Sequence, residues 1–168
     1  MENPIRKLTH LSLLATIALI IFIVEAQLPP LTAVPGVKMG LANIVTLTVL
    51  YLYRPRDALA VLIVRVVLGS IFSGQMTTLF FSLGGGLLCF AVCVLLQRFF
   101  PLRRLWMLSM IGAVFHNIGQ IIIAIVVTST PEIVWYLPVL LLSGLISGCF
   151  TGLAAQYFLT HFIKVQSR

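Results

Sequence analysis

Long apolar runs, interrupted by proline, glycine and arginine, follow one another along the whole chain. Six can be marked: Leu8–Leu28, Val37–Tyr53, Ala58–Phe72, Thr77–Phe99, Leu105–Thr128 and Ile133–Ile163. Runs of this kind can cross ~30 Å of hydrocarbon as α-helices. Pro29-Pro30, Pro35-Gly36, Arg54-Pro55, Ser73-Gly74, Pro101 and Pro131 mark the breaks between them. The second and third runs are short: about fifteen residues at ~1.5 Å each span only ~23 Å. They either extend into their flanks or lie buried among the other helices. The sixth is long enough to tilt or to protrude, unless Pro138 marks its true first turn. The pattern predicts one all-α domain over residues 1–168, an integral membrane bundle of about six helices. No hydrophilic stretch is large enough for a second domain.

Composition strengthens the membrane reading. The chain is 60% hydrophobic and 9% charged, with a mean hydropathy of +1.12. A soluble domain of this size has too much surface to carry so few charges. The net charge of +7 does not point to nucleic acid, because no basic stripe with interleaved aromatics exists. The basic residues sit instead in short clusters between apolar runs. Arg6 and Lys7 precede the first run, Arg54 and Arg56 separate the second and third, Arg98, Arg103 and Arg104 separate the fourth and fifth, and Lys164 and Arg168 close the chain. These nine of eleven basic residues fall on one side, which the positive-inside rule makes cytoplasmic, together with both termini. The segment ending Glu25-Ala26-Gln27-Leu28-Pro29-Pro30 lacks a small-x-small cleavage pattern and is expected to remain as the first helix.

The two remaining basic residues are the candidate chemistry. Lys38 opens the second run within Pro35-Gly36-Val37-Lys38-Met39-Gly40-Leu41-Ala42-Asn43. It either snorkels to the outer interface or meets a ligand, with Asn43 on the same general face. Arg65 lies mid-run, seven residues from either end of Ala58–Phe72. A guanidinium there needs a partner. Glu25 is the candidate ion-pair partner, and an anionic substrate bound bidentately is the alternative. In the fifth run His116 and Gln120 are four residues apart and share a helix face, with Asn117 adjacent. Such groups either bridge neighbouring helices or line a cavity. The expected substrate-binding set is therefore Lys38, Asn43, Arg65, His116, Asn117 and Gln120.

Gly144, Gly148 and Gly152 repeat every fourth residue and predict a close helix-packing face. Gly84-Gly85-Gly86 implies a break, a kink or a very close approach. Cys89, Cys93 and Cys149 read as small packing residues. No carboxylate pair, activated nucleophile, metal-ligand cluster or phosphate-binding loop is visible, so no catalytic residue, metal or cofactor is expected. Asp57 is the only aspartate, which excludes Asp-rich magnesium-diphosphate motifs.

Glu25–Pro30, Pro35–Val45, Arg65-Val66-Val67-Leu68-Gly69-Ser70, Phe81–Leu87 and His116-Asn117-Ile118-Gly119-Gln120 together resemble the bacterial family called heptaprenyl diphosphate synthase component I, or Gx transporter, over nearly the whole chain. More distantly the chain is similar to the S components of energy-coupling-factor transporters. Those are small six-helix proteins that bind vitamins beneath the loop joining helices 1 and 2. They often carry Ala-x3-Ala on helix 1; here Ala15 and Ala18 are three apart, and Ser12 and Thr16 form the nearest small pair. The resemblance implies a bacterial inner-membrane protein. It is either a substrate-binding transport subunit for a small anionic metabolite, phosphorylated or flavin-like, with energy-coupling transmembrane and ATPase partners, or a membrane accessory subunit of an isoprenoid diphosphate synthase.

Overall fold

The computed structural model describes residues 4–27, 40–74 and 76–166. Lys38 and the loop from Pro29 to Gly36 lie outside them. Six α-helices carry the fold: α1 Pro4–Gln27, α2 Asn43–Leu52, α3 Pro55–Phe72, α4 Met76–Leu96, α5 Leu105–Thr128 and α6 Leu137–Gln166. There is no strand among the described residues.

The local chemistry of the breaks explains the element ends. Pro55 supplies the pre-set φ of a first helical turn, and the Arg54 amide donates to Asp57 Oδ2 at 3.1 Å, closing the start of α3. Lys7 Nζ meets the same carboxylate at 2.7 Å. Burial works against the Asp57 charge, but the Lys7 ammonium and the Arg54 amide outweigh it and hold the carboxyl below its ordinary value. Ser129 ends α5 in the left-handed region, φ 53°. The chain then passes through a 3₁₀ turn, Pro131–Tyr136, before α6 begins. Pro138 therefore occupies the first turn of α6, and the residues from Ile133 to Tyr136 do not belong to that helix.

Four helical stretches are long and apolar enough to cross a membrane: Pro4–Gln27, Leu79–Phe99, Leu102–Thr128 and Pro131–Lys164. The two short runs part company. α3 gains its first residues from the flank and reaches 18 residues, about 27 Å. α2 has ten, about 15 Å, and is buried from Val45 to Leu50. It is a central rod packed by α1, α3, α4 and α6.

The connections bring the described basic clusters to one end. Lys7 on α1 reaches the start of α3, Tyr51 near the end of α2 donates to the Phe100 carbonyl at 2.7 Å, and Gly152 late in α6 abuts Trp106 early in α5. Arg6, Arg54, Arg56, Arg98, Arg103, Arg104 and Lys164 flank these points.

Glycine sets the interhelical spacing. In the α5–α6 seam a Cβ on Gly148 would stand 2.9 Å from Met110 Cα, and one on Gly152 2.5 Å from Trp106 Cα. Gly144 meets Asn117. The three glycines thus seat one face of α6 on α5, and Ser109 Oγ and Thr151 Oγ1 bridge the seam at 3.1 Å. In the α4–α5 seam the backbones themselves touch: a Cβ on Gly119 would lie 2.8 Å from the Gly84 carbonyl oxygen. Gly84-Gly85-Gly86 is unbroken helix. Of the three outcomes the sequence allows there, close approach is the one realised.

Among the described residues two apolar clusters result. The larger holds Ala18, Val45, Val49, Val61, Cys93, Leu105, Leu108 and Leu159, at the basic end. The smaller holds Phe81, Ile121, Ala124, Ile133 and Leu140. Between them lies a buried polar layer.

Candidate functional site

The polar layer is assembled by ordinary helix periodicity. On α1, Ala18, Phe22 and Glu25 form the buried stripe at i, i+4, i+7. Phe22 lies against Gly69 of α3, so Glu25, one turn further on, is turned inward. On α3, Leu62, Arg65, Val66 and Gly69 make the matching face. On α5, His116 and Gln120 share the face towards α4. Each is enclosed: Glu25 is 6% exposed, Arg65 3%, His116 3% and Gln120 0%.

Contacts join these groups through Gly40 and Asn43. Glu25 Oε1 accepts the Gly40 amide at 2.5 Å. Gly40 has φ +77°, a conformation L side chains rarely adopt. A Cβ there would also stand 2.9 Å from Asn43 Nδ2 and 3.0 Å from the His116 ring. Glycine is required on both counts. Asn43 Oδ1 in turn accepts from Arg65 Nη2 at 2.5 Å. The Glu25 and Arg65 charges act on each other, and Arg65 acts on His116. Gly85 also lies against His116, where a Cβ would be 2.7 Å from its carbonyl oxygen, 2.8 Å from Gln120 Cγ and 3.0 Å from the ring Cε1. Two glycines from different parts of the chain thus approach the ring.

The guanidinium is only partly engaged. Arg65 Nη2 has Asn43, but Nε is buried and finds no acceptor among the described residues. A buried donor left in that state is costly, and a planar guanidinium presents such donors in the fork that oxyanions fill.

Of the residues expected in one set, Asn43, Arg65 and His116 come together, with Glu25 beside them. Gln120 follows one turn along, against Gly85. Asn117 goes elsewhere: its Nδ2 donates to the Leu140 carbonyl on α6 at 2.5 Å, so it belongs to the helix seam. Helical geometry gives the reason, since adjacent positions differ by about 100°. Lys38 lies outside the described residues. Sequence reasoning did not assign Gly40 or Gly85 to the site. The signal for both was a glycine that no turn or helix cap alone explains.

A family model described as heptaprenyl diphosphate synthase component I matches residues 14–158. No curated protein and no solved structure matches the chain.

Proposed function

This chain belongs to the heptaprenyl diphosphate synthase component I family, and from that premise we propose that it is a membrane-embedded binding subunit for a small anionic metabolite, acting in transport. The observation that carries the reading is the incompletely satisfied Arg65 guanidinium, enclosed with Asn43, Glu25 and His116 between two apolar clusters. An ionisable side chain at such depth marks a substrate or ion path by default. Lys38, expected near the second helix, would add a second cation. Energy-coupling transmembrane and ATPase subunits are the partners that the likeness to S components suggests, and Ser12 and Thr16 lie exposed on α1 where such a partner could dock.

The titration of purified protein in lipid nanodiscs tests this. Methyl phosphate and methanesulfonate should bind the wild type, and Arg65→Lys should bind at least tenfold more weakly. The charge is kept but the planar fork is lost. Equal affinity of the two proteins would reject the reading.

The family's own description favours a second reading, a membrane accessory subunit of an isoprenoid diphosphate synthase. Under it Arg65, Asn43 and Glu25 only brace the helices. The same titration decides, because a brace binds no added anion.

The orientation we propose places the basic end in the cytoplasm of a bacterial inner membrane. A cysteine introduced at Thr130 should label from outside and one at Arg103 should not; outside labelling of Arg103→Cys contradicts the orientation.

A further inference from the structure

Independently of the anion site, we propose that Cys89 and Cys93 form a two-coordinate binding site for a soft monovalent metal ion of the copper(I) class. The two thiols lie four residues apart on α4 and share one helix face. Gly85 lies one turn before them, so the face that meets His116 at Gly85 continues to both cysteines. On α5 they meet Gly112, one turn before His116. A Cβ on Gly112 would stand 2.8 Å from Cys93 Sγ and 3.1 Å from Cys89 Sγ. The missing Cβ lets both sulfurs turn to one point in the seam. The thiols also hydrogen-bond to each other. Both are enclosed in the larger apolar cluster, Cys89 at 6% exposed and Cys93 at 2%.

The donor set selects the ion. Thiolates favour soft metals. Zinc takes four protein ligands in structural sites and three in catalytic ones. Among the described residues no group of three or more His, Cys, Asp and Glu side chains converges. The Tyr51 hydroxyl, which acts on Cys93, is committed to the Phe100 carbonyl. Two sulfurs alone suit an ion that takes two thiolates in a near line, as copper(I) and silver(I) do. On loading, each S–H bond breaks, each sulfur forms one bond to the ion, and two protons leave. No electron is transferred. The complex carries one negative charge, which the Arg65 guanidinium favours, since its charge and Cys89 act on each other. The apolar surround keeps water from the metal–sulfur bonds.

Silver(I) serves as the probe, because it shares the preference for two sulfurs and does not oxidise in air. The full chain in nanodiscs is loaded with silver nitrate, washed with excess glutathione and analysed for bound silver. The wild type and Cys149→Ala should each retain one ion per chain. Cys89→Ala and Cys93→Ala should retain none. Gly112→Ala keeps both thiols but sets a methyl against the two sulfurs, and should also retain none. A wild type stripped by glutathione overturns the proposal. Loss of the ion in Cys149→Ala, or its retention in Cys89→Ala, Cys93→Ala or Gly112→Ala, also overturns it. Should a variant not fold, X-ray absorption of the silver-loaded wild type decides. Two sulfur neighbours are expected, and a single sulfur, or any nitrogen or oxygen neighbour, overturns the site.

Discussion

Gly119→Ala is expected to lower the stability of the bundle by about 1–3 kcal/mol, although alanine is the better helix former by ~1 kcal/mol. The added Cβ would stand 2.8 Å from the Gly84 carbonyl oxygen and 2.9 Å from Gly85 Cα. Both are backbone atoms, so no side chain can turn away and the helices must separate. Separation releases Gly85 from His116 and Gln120, and anion binding should weaken with it. Gly86→Ala is the control within the same glycine run. There the nearest atom is Leu62 Cδ1 at 3.2 Å, the end of a flexible side chain, and stability should stay within about 1 kcal/mol of wild type. Thermal unfolding in one detergent measures both. Equal unfolding temperatures for the two variants would show that α4 and α5 do not touch as described.

Arg65→Ala should be the most damaging single change to the polar layer. It removes from the enclosed Glu25 a cation whose charge acts on it. Removing one partner of a buried pair typically costs about 3–5 kcal/mol, most of it for the charge left behind. The second substitution, Glu25→Gln, removes that charge and should recover part of the loss. The double variant should therefore be more stable than Arg65→Ala alone. Unfolding of the four proteins in the cycle checks this, and a double variant less stable than either single one would mean that the two residues do not share an electrostatic environment.

The helices and their ends were readable because proline, glycine and arginine interrupt runs of one composition. The one-sided basic clusters were equally readable, and the connections gather the described ones at a single end. The fate of α2 was not legible. A run that is apolar all round fits a spanning helix and a buried rod alike, and only the helices packed around Val45–Leu50 distinguish them. Arg65 was identifiable by its cost in hydrocarbon, but its partner was not. The bond to Asn43 and the placement of Glu25 depend on how α1 crosses α3 at Phe22 and Gly69, a tertiary property. Asn117 was grouped with His116 by sequence proximity, and a rotation of about 100° carried it to α6. Gly40 joins three of the site's groups through its backbone and its missing side chain. Sequence pattern alone does not announce such a role.

The central claim is that the free side of the Arg65 guanidinium receives an anion. Nitrogen NMR of arginine-labelled protein in nanodiscs observes that group itself. Titration with methyl phosphate should shift one buried Nε–H signal, absent from Arg65→Lys, and saturate with the binding isotherm. A saturating isotherm with the Arg65 Nε–H signal unmoved would contradict the account.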